Sequence, residues 1–257
     1  MSEVDRIVVG MDGRRGQRTA TMRRARRAMV DALAASQDGL VSRRQVLALG
    51  LSRAEIRANV SARRWQLVGR HVVCVHCGPL VERAPLWVAV LSVGPRAQLD
   101  GASSLLAAGL KGYTVDVHRV SVPRGARTFR GAGVDIRQTR RWSEDDLVPV
   151  GIPRTRNEVA AVRGALWARS DKQAALLLAM AVQQGVAPAD RIGRELLRIR
   201  KAPRLAFLRL IVGDLLDGAH SLAELDFAAE CRRRGLPEPT RQVLRRGPRN
   251  SYYLDVC

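Results

Sequence analysis

Residues 41–73 read VSRRQVLALGLSRAEIRANVSARRWQLVGRHVV. Ser42 is followed three residues later by Gln45, and Ser52 by Glu55. In this spacing a serine hydroxyl accepts from the backbone amide three residues on, and the longer side chain reaches back to the serine amide. Each pair therefore predicts a helix start. Gly50 ends the first helix, so the stretch holds two short helices joined by a glycine-containing turn, the sequence form of a helix-turn-helix. Beyond them, Trp65–Val68 and His71–Val75 flank Gly69-Arg70 and predict a two-stranded wing. Arg43, Arg44, Arg53, Arg57, Asn59, Arg63, Arg64 and Arg70 fall on or beside these elements. They are long donors suited to phosphates and to guanine edges in a major groove. A solvated basic face is the alternative reading of the same arginines.

Charge over the whole chain points the same way. Its 257 residues carry 44 Lys+Arg against 24 Asp+Glu, a net charge of +20, and nearly all the basic residues are arginine. A polyanionic partner, most simply double-stranded DNA, fits this balance better than an acidic protein does. Residues 1–80 hold 15 Arg and 6 acidic residues, a net of +9, while residues 81–150 have a net of only +3. Arginine in place of lysine also follows genomic base composition, so the charge carries more weight than the residue chosen.

Working outward, residues 1–21 carry Gly10, Gly13 and Gly16 and several arginines without apolar periodicity, and read as a disordered basic arm. Met11 and Met22 are alternative starts. From Met22 to Ser36 the apolar residues keep helical spacing. The 22–80 stretch, with its capped helix pair and hairpin, resembles the N-terminal winged helix of AbiEi-type antitoxins of type IV toxin–antitoxin systems. His71-Val72-Val73 departs from that family's usual G-V-Y, a difference confined to the wing. The resemblance continues through residues 81–155, where Leu86–Val93 and Ala102–Leu110 read as helices and Thr114–Val122 and Val134–Thr139 as strands. It includes the element Gly151-Ile152-Pro153-Arg154-Thr155. A packing and dimer-scaffold role for this middle region, a cognate toxin and transcriptional repression are what the resemblance implies. Residues 156–218 read as a helical connector, and residues 151–257 have a net charge of +8.

At the other end, Ser221 and Glu224 open a helix of about 13 residues that Gly235 stops, with Arg232–Arg234 opposing the negative end of its dipole. Arg241–Arg246 and Ser251–Val256 follow as strands. This helix–strand–strand order, with Glu224, Gln242 and Asp255 at its key positions, resembles the very-short-patch-repair (Vsr-like) endonucleases. The matching domain is domain of unknown function 559, within the PD-(D/E)XK superfamily. The resemblance implies catalytic positions at Glu224, Gln242 and Asp255, with Asp255 as a ligand to divalent metal. The next strand, with its E-x-D or E-x-K element, does not follow Asp255 in this sequence. The expectation is an incomplete, vestigial site in 219–257, with no cofactor as the chain stands and magnesium only if the site is completed. Helix capping alone accounts for Glu224, and an ordinary strand end for Asp255.

Cys74-Val75-His76-Cys77 has C-x-x-C spacing, but no second ligand pair follows, and a partly buried strand is the preferred reading over zinc. His118 and His220 have no visible partner for catalysis. No apolar run is long enough for a membrane span, and the first residues lack the apolar core of a signal peptide, so a cytoplasmic protein without membrane partners is expected. The expected fold class is α+β, mostly helical: an N-terminal winged helix, an α/β middle, a helical connector and an incomplete αββ C-terminus. DNA binding in a regulatory or antitoxin-like setting leads, with a magnesium-dependent endonuclease as the alternative.

Overall fold

The computed structural model describes residues 20–128, 133–148, 150–217, 222–237, 241–246 and 251–256. The basic arm lies outside them, apart from residues 20 and 21. About half of the described chain is helical and the rest is built around three sheets, a mixed α/β architecture. The chain divides into two compact units, one ending at Pro95 and taking in the segment that begins at Arg127, the other formed by Arg96–Ala126 and the described residues from Gly133 onward.

In the first unit, helix α1 (20–35) presents Val30 and Ala34 to a core completed by Val41, Val46, Leu51, Ile56, Trp65 and Val73. Strand β1 (Leu40–Ser42) leads into α2 (Arg43–Ala48), a turn, and α3 (Arg53–Ser61). Strands β2 (Gln66–Val68) and β3 (Val72–Cys74) then close a three-stranded antiparallel sheet in the order β1-β3-β2, in which Val73 pairs with Val41 on one side and Leu67 on the other. Strand β1 is not expected from the sequence. Three buried residues are too few to show alternation, and its partner lies over 30 residues away.

Helix α4 (Ala84–Val93) also belongs to this unit, so the division does not follow the expected boundary at residue 80. The cause is Asp38. Its backbone sits in the left-handed region at φ 52° in the turn before β1, and its carboxylate accepts from Trp87 Nε1 and from Arg83 Nη2, both at 2.9 Å. One acidic side chain thus ties the start of α4 to the start of the sheet.

The second unit contains a five-stranded mixed sheet in the order β6-β5-β4-β8-β7: β4 (Gln98–Leu99), β5 (His118–Pro123), β6 (Val134–Thr139), β7 (Leu147–Val148) and β8 (Arg154–Thr155). Strand β5 starts four residues later than Thr114, because its partner β6 begins at Val134 opposite His118 and leaves residues 114–117 without a ladder. The short strands β4 and β8 pair in parallel, and Thr155 secures them by donating its hydroxyl to the Leu99 carbonyl at 2.9 Å.

Helices α5 (Ala102–Ala107), α6 (Asn157–Leu166), α7 (Asp171–Gln183), α8 (Ala189–Leu197), α9 (Leu205–Leu216) and α10 (Leu222–Arg233) share one core of Leu, Ala, Val and Ile. The 156–218 segment therefore forms the core of this unit together with α5, rather than a connector between separate bodies. Close approach of α5 to α6 depends on two glycines. A Cβ at Gly101, where φ is +57°, would lie 3.2 Å from the Gly164 Cα, and one at Gly164 would lie 3.1 Å from the Ala102 amide nitrogen of α5. Strands β9 (Arg241–Arg246) and β10 (Ser251–Val256) pair antiparallel as a separate two-stranded sheet.

Beneath the five-stranded sheet lies a buried ionic cluster. Arg163 donates to Asp100 at 3.0 Å and to Asp146 at 2.9 Å, and Asp100 also accepts from Ser121 Oγ at 2.5 Å and the Gly101 amide at 2.7 Å. Burial pushes the Asp100 carboxyl above the usual carboxylate range, against the pull of Arg163 and these hydrogen bonds. Removing Asp100 leaves the buried Arg163 to Asp146 alone and strands the Ser121 hydroxyl and the Gly101 amide without their acceptor. Asp100→Ala is expected to cost about 3–5 kcal/mol of unfolding free energy, measurable by chemical denaturation.

His118, half-buried on β5 with Nδ1 buried and unpartnered, has its pKa held below 6.5 by desolvation. A histidine whose folded pKa is depressed binds fewer protons folded than unfolded. The stability it allows is full above the unfolded value and falls as pH drops below about 6.5. Relative to His118→Gln, the wild-type chain should lose stability over that acid range and match the variant's pH dependence above it, as read by thermal melts across pH.

Candidate nucleic-acid interface

The residues that open α2 and α3 are held by complete capping boxes. Ser42 Oγ accepts from the Gln45 amide at 3.2 Å while Gln45 Oε1 accepts from the Ser42 amide at 2.8 Å; Ser52 and Glu55 repeat the exchange at 3.2 and 2.7 Å. The backbone and hydroxyl donors of Ser52 hold the Glu55 carboxyl below its usual range. Gly50, at φ +89°, makes the turn between the helices, and its carbonyl accepts from Arg26 Nη1 at 3.1 Å. Two rigid, closely spaced helix starts result, both beginning with arginine.

These starts border a cleft of about 690 Å³. Arg43 and Arg44 come from α2, Arg53 and Arg57 from α3, and Arg70 from the β2–β3 turn, where Gly69 takes φ +78°. Arg53 and Arg57 are four residues apart and so share a helix face. His71 also lines the cleft, and Leu47, Ile56 and Leu91 supply apolar surface. No acidic residue lines it.

Among the described residues, none of these five arginines makes an ion pair, whereas Arg27 pairs with Asp31 and Arg83 with Asp38. Arg43 in addition keeps its Nε buried with no hydrogen-bond partner. The arrangement can receive anionic groups at several points, with no internal carboxylate to displace first.

The structure does not bring Asn59, Arg63 and Arg64 into this cleft. The Asn59 amide is engaged within the protein: Nδ2 donates to the Glu55 carbonyl at 2.9 Å, and Oδ1 accepts from Arg64 Nε at 2.9 Å and Arg27 Nη1 at 3.2 Å. Arg27 also stacks on the Trp65 ring at 4.7 Å. The group closes the C-terminal end of α3 against α1. Arg63 occupies the left-handed turn after α3, at φ 51°, where its carbonyl accepts from Cys77 Sγ at 3.0 Å. Local sequence does not point to His71, Leu47 and Leu91 as parts of this surface, the last because it lies well beyond the hairpin, on α4.

Cys74 is buried in β3 and Cys77 exposed. Among the described residues no group of three or more His, Cys, Asp or Glu could hold a metal ion, and no helix is long and apolar enough to cross a membrane. Glu224 lies in α10, Gln242 in β9 and Asp255 in β10; their side chains, and His220, fall outside what the structure describes. The β9–β10 register, with Leu254 opposite Val243 and Val256 opposite Arg241, sets Asp255 level with Gln242. Arg232, in the basic run that ends α10, is held by Asp214 of α9 through two hydrogen bonds at 2.8 and 2.9 Å, while Arg233 and Arg234 pair with Glu230.

No protein-family model matches the chain, and no curated protein matches its sequence. Among solved structures, the chain is similar to the RV2827C protein from Mycobacterium tuberculosis, with 17% sequence identity over 77% of this chain and 78% of that one and a TM-score of 0.43. That likeness is too slight to bear on the site.

The Ser52 cap positions the Arg53–Arg57 face. Ser52→Ala should lower unfolding free energy by about 1 kcal/mol, with Ser52→Asp close to wild type, as measured by chemical denaturation.

Proposed function

We propose that the first unit is a winged-helix module and that the chain binds duplex DNA through the arginine cleft, acting as a transcriptional regulator or antitoxin-like component. The observation that carries this reading is the convergence of five arginines without acidic partners on one cleft at the starts of α2 and α3 and the β2–β3 turn. Helix α3 has nine residues, and a helix with its side chains is about 10–12 Å across, matching the roughly 12 Å width of B-DNA's major groove. Its exposed Arg53–Arg57 face is the one to read base edges. Arg43, Arg44 and Arg70 flank it as phosphate contacts that set register. The net charge of +20 supplies the long-range attraction that brings a polyanion to this surface.

The roles separate by experiment. In fluorescence-anisotropy titrations with duplex DNA from upstream of the gene, Arg53→Ala or Arg57→Ala should weaken binding by about 1–3 kcal/mol and reduce discrimination against scrambled duplex. Arg70→Ala should weaken binding to both duplexes alike and lower the salt slope by about 1. Unchanged affinity in all three variants contradicts the proposal.

A further inference from the structure

The arginine cleft has a feature that phosphate binding does not use. Between its cationic edges lies apolar surface from Leu47 on α2, Ile56 on α3 and Leu91 on α4, and Leu47 is 36% exposed. A DNA backbone engages the guanidinium edges and gains nothing from a greasy floor. At about 690 Å³ the cleft is the size of a small-molecule site, mostly apolar with a few convergent polar groups. Arg43 lines the cleft and, among the described residues, makes no ion pair, so its guanidinium is free to meet an anionic oxygen. No carboxylate lines the cleft to repel an anion.

We propose that this cleft is an effector site for a small carboxylate with an apolar body, whose occupancy releases DNA. The carboxylate is held at the arginine edge, with Arg43 as anchor, and the apolar body covers Leu47, Ile56 and Leu91. Bound there, the ligand neutralises guanidinium charge and fills the space beside α3, so one cleft cannot hold ligand and duplex together. The binding claim stands on the cleft alone, and the release claim rests on the proposed DNA function.

Isothermal titration calorimetry on the full chain without DNA tests the binding claim, with decanoate below its micelle concentration as probe and decanol and acetate as controls. Saturable one-to-one binding of decanoate, at least about tenfold tighter than acetate or decanol, is expected. Arg43→Gln and Leu47→Asn should each weaken it by about tenfold or more, and circular dichroism of the variants checks that they are folded. Absence of decanoate binding, equal binding of acetate, or folded variants that bind decanoate as well as wild type does overturns the site.

Competition against labelled upstream duplex then tests release. Displacement at decanoate concentrations matching its own affinity is expected, and simultaneous binding of both overturns the effector role. A chain that binds decanoate but no duplex keeps the site and refutes the DNA reading, whereas one that binds duplex but not decanoate refutes this inference alone.

Discussion

A chain with 44 basic side chains and 24 acidic ones cannot neutralise itself, and where the surplus goes decides what its surface can do. Burial sets the first claim on the acids. Asp100 and Asp146 hold Arg163 beneath the five-stranded sheet, and Asp214 holds Arg232 where α10 meets α9. In the first unit Asp38 joins α4 to the turn before β1, Asp31 holds Arg27, and Glu55 is committed to the cap of α3. Among the described residues the five cleft arginines pair with no carboxylate, and the caps that start α2 and α3 fix where four of them stand.

The two units manage arginine in opposite ways. In the second, guanidiniums act as internal fasteners: Arg163 joins β4, α6 and the segment before β7, and Arg204 pairs with Asp171 and donates to the Ala168 carbonyl at 2.9 Å. Such groups are desolvated and geometrically saturated, so a phosphate has little to gain by competing for them. In the first unit Arg44, Arg53, Arg57 and Arg70 are exposed and Arg43 is partly buried, and among the described residues none of the five makes an ion pair. Equal numbers of arginines therefore do not mean equal affinity for a polyanion.

The helix starts are legible in the sequence because capping is local: Ser42 with Gln45 and Ser52 with Glu55 declare themselves within four residues, and the structure holds both boxes complete. Strand β6 is legible because Val134–Arg137 alternates, and the backbone spans of β9 and β10 because Gly247-Pro248 breaks the sequence between them. Strands β1, β4, β7 and β8 are not. Two or three residues carry no period, and their pairing is set by partners as distant as Arg154 is from Leu99. The same limit governs the cleft. Arg43, Arg44, Arg53, Arg57 and Arg70 can be gathered from the order of elements, but the bonds that withdraw Asn59 and Arg64 run back to α1. Leu91 joins the cleft on a helix whose place depends on Asp38.

The unpaired arginines of one cleft are proposed as the DNA-binding surface. The most direct test is the salt dependence of duplex binding for the wild-type chain against a variant with Arg43, Arg44, Arg53, Arg57 and Arg70 all changed to Gln. Arg43, Arg44 and Arg70 each meet a phosphate, and every phosphate that no longer meets a guanidinium should take about 0.9 off the slope of log K against log salt, so a slope shallower by about 3 is expected in the variant. An unchanged slope, with the variant folded, would place the DNA elsewhere on the chain and contradict the account.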